Sequence, residues 1–378
     1  MSRETRARFE DSPRRSRRVA ARAERSRSSS PAVRLSAAIR FVPAFVPAFV
    51  LTFVPALVVS AAACCLAPSA AAAPVADGAI AASIAASDCP AGDDDVWLVS
   101  TRRLPDIACL PAHVGFGVER LAGAAGASRW QPSDLESLLD SPGRPLVIFI
   151  HGNRYDSASA KSQGLLLARG SRACQPGGPP VRTVIFSWPS SQEGRLLRDS
   201  RSKYERTMSE GRYLAWFLGR VPPEQPVAII SYSYGGLIAL EALDCLVGAE
   251  RSGRSDLTPW LDRPARLHLV LVAAAVRQDA LAPGGAFRRV IPCIDRLTLL
   301  NNSSDHALRF FRFIDPGLRT EALGHENMPA RWLPRDVEFV QVDAAPIVGK
   351  SHRFPLYLES AALRARIASG ALEGLSVD

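Results

Sequence analysis

The chain contains no C-x-x-C pair and no H-E-x-x-H run, so no metal site of standard spacing is legible in it. Outside residues 41–66 it has no uncharged apolar run long enough to cross a bilayer, which excludes a multi-span membrane protein. Excess charge is also missing from most of its length. Residues 1–40 hold twelve Arg against four acids, and residues 41–73 hold no charge. The tail therefore carries +8 of the total +9, and residues 74–378 carry only +1. The basic balance belongs to the tail and gives no argument for a nucleic-acid-binding domain. What is present looks globular: 47% of the 378 residues are hydrophobic and 22% are charged, which excludes a mostly disordered chain.

The first seventy residues read as an address. An Arg-rich stretch precedes the apolar run FVPAFVPAFVLTFVPALVVSAAACCL (41–66), and small residues follow it. Basic, then apolar, then small is the layout of a secretory signal, with cleavage expected near Ala73. The run is longer than a usual signal core, and as a helix it would span a bilayer, so an uncleaved anchor is the other expectation. Pro43, Pro47 and Pro55 disfavour a regular helix there. Cys64 follows three alanines rather than the large apolar residue a lipid-attachment box prefers. In either reading the basic tail stays inside and the rest is exported, to the periplasm or the outside, free or membrane-anchored. Membrane association, if any, runs through residues 41–66. Five of the seven Cys follow the signal: Cys89, Cys109, Cys174, Cys245 and Cys293. Five is odd, so one thiol is left over or pairs between chains. Cys89 with Cys109 is the expected pair, and Cys245 reads as a small buried helix residue.

Beyond residue 95, short runs rich in Val, Ile and Phe alternate with helical patterns. Strands are predicted at 96–102, 116–122, 146–150, 183–188, 227–232, 267–276, 296–301 and 337–342. Helices are predicted at 158–169, 203–219, 235–247 and 358–368, and a surface loop at 251–266. This alternation predicts an α/β fold: an eight-stranded, mostly parallel sheet with helices on both faces. The expected organisation is a basic tail (1–40), a signal or anchor (41–73), a linker (74–95) and a catalytic domain (96–378). Ligands of such sheets bind outside the carboxyl ends of the strands, so the residues just after each strand are where chemistry is sought.

The fifth predicted strand runs into a helix through Ser231-Tyr232-Ser233-Tyr234-Gly235. This matches the nucleophile elbow G-x-S-x-G, with Ser231 in the first glycine's place, where the requirement is for a small side chain. Alone, S-x-S-x-G is weak, and a helix-capping Ser is the plainer reading. Between a buried strand and an apolar helix the pattern is much more specific. A serine attacking a carbonyl needs donors for the developing oxyanion. Tyr234, after the nucleophile, and Asn153, in the His151-Gly152-Asn153 run after the third predicted strand, are the candidates. His151 itself, at a strand end, is expected to shape that loop. Acid and base should follow in the order Ser, acid, His. Asp305 follows the seventh predicted strand and His352 the eighth, at the same sheet edge as Ser233. His352 would take the Ser233 proton, and Asp305 would fix the ring's tautomer. Asp279 is the alternative acid. His325 is the alternative base, but it precedes the eighth strand and so should start at the opposite edge. Ala344…Gly349-Lys350-Ser351 matches a relaxed phosphate-loop pattern, but such a loop must open a helix, and Pro355 leaves little room for one.

HGN at 151–153, FSWPS at 186–190, the small-x-Ser-x-Gly elbow, D-x-A-L at 305–308 and S-H at 351–352 together resemble one α/β-hydrolase group. It is a poorly characterised esterase/lipase-like family whose members read HGYN, F-x-WPS, AHSMG, D-x-AL and HSY at these points. The resemblance spans about residues 145–355. It implies the α/β-hydrolase fold, with Ser233 as nucleophile, Asp305 as acid, His352 as base and no cofactor. Tyr232, Tyr234 and Arg353 depart from the family pattern, so a substrate does not carry over. Trp188 is expected to pack core or pocket wall. The expected activity is hydrolysis of a small-molecule or lipid ester through an acyl-enzyme. A peptidase, thioesterase or amidase would use the same three residues. An inactive envelope binding protein is the rival from another class, and a lipid-processing protein at a membrane surface is a third.

Overall fold

The computed structural model describes residues 95–376, apart from 124–127, 141–142, 176, 179, 195 and 315–319. The basic tail, the apolar run 41–66 and Cys89 lie outside the described residues. Cys109, Cys174 and Cys245 carry free thiols. Among the described residues no helix is long and apolar enough to cross a membrane.

The strands are β1 (Val96–Ser100), β2 (Gly117–Ala122), β3 (Arg129–Ser133), β4 (Leu146–Ile150), β5 (Arg182–Ser187), β6 (Val227–Tyr232), β7 (Leu267–Val272), β8 (Arg296–Asn301) and β9 (Glu338–Asp343). The helices are α1 (Leu135–Leu139), α2 (Ser157–Cys174), α3 (Leu196–Leu218), α4 (Tyr234–Arg251), α5 (His306–Arg309), α6 (Ala345–Val348), α7 (Phe354–Glu359) and α8 (Ala361–Leu372). The strands form one sheet in the order β3-β2-β1-β5-β4-β6-β7-β8-β9. β2 runs antiparallel to β1 and β3, and the remaining pairs are parallel.

Every residue of β4, β5, β6 and β7 is buried, as expected of parallel strands covered on both faces. Side-chain alternation assigns the two faces. Ile185, Phe149, Ile230, Val270 and Thr298 form one row across β5, β4, β6, β7 and β8. α2 lies against this row, close enough that a Cβ on Gly164 would meet Ile185 at 2.3 Å. α8 lies there too, where a Cβ on Gly370 would meet Thr298 at 2.5 Å. Phe354 of α7 stacks on Phe149 at 5.1 Å. The adjacent row, Phe186, Ile150, Ser231 and Leu271, faces the other side. There α4 comes so close that a Cβ on Gly236 would contact Leu271, and α3 packs along α4. The result is an α/β-hydrolase fold, a sheet between two helical layers.

The sheet has nine strands where eight are predicted. The additional strand, β3, holds Pro132 and only one large apolar residue, Trp130, whose ring lies under Lys161. Proline is tolerated because β3 is an edge strand, and an edge strand carries little apolar alternation to read. The predicted run 267–276 stops at Val272, because Ala273 turns into the left-handed region at φ 43. Residues 251–266 form an irregular, mostly exposed loop, as predicted, but one tied into the core at two residues. Trp260 is fully buried, and the Glu250 carboxylate accepts its N–H and that of Leu261 at 2.7 and 2.9 Å. Arg263 lies over the Trp260 ring at 4.5 Å, which pins the segment inward.

At the start of β1, buried Asp95 accepts from Arg182 Nε at 2.6 Å and Trp97 Nε1 at 2.7 Å, and Arg144 and Arg120 approach it at 3.5 and 3.6 Å. Asp95 therefore ties β1 to β5 and β2. Removing one partner of a buried pair strands the other charge, so Asp95→Ala should lower stability by about 3–5 kcal/mol. Urea unfolding, with Asp95→Glu as the charge-keeping control, measures this.

Candidate active site

β6 passes into α4 through Ser233, whose backbone sits at φ 55 and ψ −120. A non-glycine residue there is strained by about 1–3 kcal/mol, and its surroundings hold it. The Ser233 N–H donates to Val272 O at 3.0 Å, and its carbonyl accepts from Gly236 and Ala275, each at 3.1 Å. Gly235 allows the tight passage, since a Cβ there would lie 2.3 Å from the Ile150 carbonyl oxygen. Ser231 fits the elbow's first small position: it is fully buried, and its hydroxyl donates to Val270 O at 3.3 Å.

Ser233 Oγ lies 2.9 Å from His352 Nε2, and His352 Nδ1 lies 2.6 Å from Asp305 Oδ2. Asp305 is fully buried and caps α5. Its Oδ1 accepts the Ala307 and Leu308 N–H groups at 2.8 and 3.1 Å, which leaves Oδ2 for the imidazole. The D-x-A-L run thus acts as a cap that orients a carboxylate.

His352 sits on an irregular segment between α6 and α7, and that segment's carbonyls are satisfied from outside it. Buried Asn302 donates through Nδ2 to Gly349 O at 2.9 Å and to Ser351 O at 3.1 Å. The His306 N–H donates to Lys350 O at 3.2 Å, and the Tyr232 hydroxyl donates to His352 O. The Tyr232 ring also packs 5.2 Å from the His352 ring and 5.0 Å from Phe354. Asn302 and Tyr232 hold His352 in register. The sequence marks Tyr232 only as a departure from the family pattern and does not single out Asn302, because nothing in spacing marks one buried Asn among several after a strand.

The HGN and WPS runs interlock. Trp188 Nε1 donates to His151 O at 2.8 Å, and the Trp188 N–H donates to His151 Nε2 at 3.2 Å. His151 Nδ1 lies 2.9 Å from Gly152 O, so it carries the ring proton. The Arg154 N–H, at φ 65, donates to Ser190 O at 2.7 Å. Burial pushes His151 down to about 3, and the Arg102 guanidinium 3.5 Å from its Nε2 adds to this. His151 shapes the loop, as expected, and Trp188 is fully buried against it. A Cβ on Gly152 would meet the Tyr232 ring at 2.8 Å and Ser233 Cβ at 2.9 Å, so this loop lies directly on the elbow. The backbone N–H groups of Asn153 and Tyr234 have no acceptor among the described residues. The Tyr234 hydroxyl donates to Ser200 O at 3.1 Å, which roots the elbow in α3.

The alternatives fall away. Asp279 is half-exposed and held by Arg277 at 2.8 Å. His325 does reach the carboxyl edge, contrary to the topological expectation, because its segment doubles back: Asn302 N–H donates to Gly324 O at 2.7 Å and Leu323 N–H to Val276 O at 2.6 Å. It pairs there with Glu326 at 3.0 Å and not with Ser233. In the phosphate-loop pattern, α6 ends at Gly349 and α7 begins only at Phe354, so Lys350 opens no helix. Among the described residues no group of three or more His, Cys, Asp or Glu is arranged to hold a metal ion.

Residues 147–372 match the alpha/beta hydrolase family, and the chain belongs to it. Among solved structures it is similar to an α/β-superfamily hydrolase of Xanthomonas campestris pv. campestris (16% identity, 60% of this chain and 97% of that one, TM-score 0.28). It is also similar to esterase B of Lactobacillus rhamnosis (14%, 77% and 89%, 0.34) and an esterase of Pyrobaculum calidifontis (15%, 77% and 88%, 0.31). A 124-residue stretch is 27% identical to protein tyrosine phosphatase PRL-1 of Leishmania major, covering 32% of this chain and 68% of that one. At these identities and scores the neighbours carry no argument about substrate.

His151 gives a pH signature. Its native pKa lies below the unfolded value, so the unfolded chain binds the extra proton as pH falls from about 6.5 towards 3. Its contribution to stability is complete above that window and is lost within it. Urea midpoints of wild type and His151→Gln across pH 4–8 should show a steeper acid-side loss in wild type.

Proposed function

We propose that the protein is an exported serine hydrolase of carboxylic esters. The observation that carries this reading is the hydrogen-bonded chain Ser233 Oγ, His352 and Asp305, at 2.9 and 2.6 Å on an elbow-strained serine. His352 removes the Ser233 proton as Oγ attacks the ester carbonyl. Asp305 holds the Nδ1–H tautomer and stabilises the imidazolium. The Tyr234 and Asn153 N–H groups receive the oxyanion. Collapse of the tetrahedral adduct expels the alcohol, which takes the proton from His352 and leaves an acyl-Ser233. Water, deprotonated by His352, then attacks the acyl carbonyl, and the acid leaves as Ser233 Oγ regains its proton. An ester is preferred over an amide or thioester on superfamily frequency alone. Export rests on the basic, apolar and small-residue layout of residues 1–73.

Fluorophosphonate labelling beside nitrophenyl-ester hydrolysis tests the reading. Both should be present in wild type and absent in Ser233→Ala. Asp305→Asn should lose about 10⁴ in kcat with its fold retained. Failure of folded wild type to label would overturn the reading in favour of an inactive binding protein. Asn302→Ala, which frees two carbonyls of the His352 segment, should lose about a hundredfold in kcat with KM little changed. Tyr232→Phe, which frees one carbonyl but keeps the ring, should lose less.

A further inference from the structure

Five large apolar side chains are exposed among the described residues: Leu197, Phe310, Phe313, Val340 and Ile347. Val340 lies on the edge strand β9. The other four lie at the carboxyl edge of the sheet, on segments that border Ser233. Phe310 and Phe313, 61% and 49% exposed, follow Asp305 within eight residues, and their rings lie 6.1 Å apart. Phe311, between them, is buried against Tyr204, which in turn meets Tyr234 beside the serine. One ring therefore anchors the segment to the core while its two neighbours stand out. Leu197 is in the first turn of α3, and one turn on, Arg201 donates to Phe313 O at 2.9 Å. Ile347 is on α6, just before the His352 segment.

Cations are interleaved with these rings. Arg198, Arg201, Arg309, Arg312, Lys350 and Arg353 are all exposed. Among the described residues of these segments, Glu193, Glu205 and Asp343 are exposed and Asp199 is buried; Glu193 is paired with Lys203 at 3.2 Å, Asp343 accepts from Ser303 at 2.7 Å, and Glu321 approaches Arg312 at 3.5 Å, which leaves the six cations in excess. Since residues 74–378 carry only +1 overall, this is a local concentration of charge. Exposed aromatic rings between arginines suit a bilayer interface. Rings enter the acyl boundary, while long cationic side chains reach the phosphate level.

We propose that this rim docks on an anionic lipid surface. Phe310 and Phe313 enter the acyl region, Arg309 and Arg312 pair with lipid phosphates, and Ser233 draws its ester from that surface. Only the last clause rests on the serine-hydrolase reading.

Docking is tested with the full chain carrying Phe310→Trp, on vesicles of brominated phosphatidylcholine with or without phosphatidylglycerol. The basic tail and the 41–66 run are common to all variants, so the emission added at position 310 reports the rim itself. This emission should be quenched on the anionic vesicles, spared on the neutral ones and restored in 0.5 M salt, where the screening length falls to about half its physiological value of ~8 Å. Adding Arg309→Gln and Arg312→Gln should weaken the quenching isotherm about 30-fold, as expected for two cations at a lipid surface. No quenching, or equal quenching on both vesicle types, overturns the proposal. A dimer that Phe310→Ser/Phe313→Ser dissolves also overturns it, by showing a second copy as the occupant. Ser233→Ala should leave quenching unchanged, so docking and catalysis fail separately. Where Ser233 labelling holds, Phe310→Ser/Phe313→Ser should cut hydrolysis of a vesicle-borne ester about tenfold and spare a soluble short-chain ester. Parallel loss on both substrates would sever the link between the rim and the substrate.

Discussion

Carbonyls 349–352 belong to no strand and point to no helix partner, yet the position of His352 depends on them. Asn302 takes Gly349 and Ser351, the His306 N–H takes Lys350, and the Tyr232 hydroxyl takes His352. Tyr232 ends β6 next to Ser233, and Asn302 and His306 lie just after β8 on the segment that carries Asp305. Backbone acceptors drawn away from water need partners, so the half-buried segment settles where these donors are. The position of His352 follows from the register of β6 and β8 and not from its own sequence.

The same economy appears at the elbow and the HGN loop. Ser233 is held at φ 55 by bonds to β7 and the residues beyond it, and Gly235 and Gly152 let three backbone segments meet without a side chain between them. His151, kept neutral by burial, and Trp188 lock the β4 and β5 loops together, which seats Gly152 on the elbow. Rigid surroundings carry the strain, and three polar side chains from distant parts of the chain meet in one place.

The exposed rings at Phe310 and Phe313 break this pattern of satisfied groups. They lie one short turn from Asp305, on a segment whose other aromatic, Phe311, is fully buried. A surface that leaves two such rings in water beside Ser233 is built for contact with something apolar.

By itself the sequence determined the layered α/β class, the elbow at Ser233 and the order of Ser233, Asp305 and His352, because continuous apolar strands and strand-end residues are local patterns. Edge strand β3 was not legible, since a strand on the rim with Pro132 has little burial to encode. The inward packing of Trp260 and the doubling back of His325 to the carboxyl edge were equally invisible, because each depends on which distant backbone groups lie within reach. Only the tertiary structure decided that Asn302 and Tyr232 hold His352, and that two of three neighbouring phenylalanines face water. Hydrogen bonds and burial join residues far apart in the chain, and no spacing in the sequence records that reach.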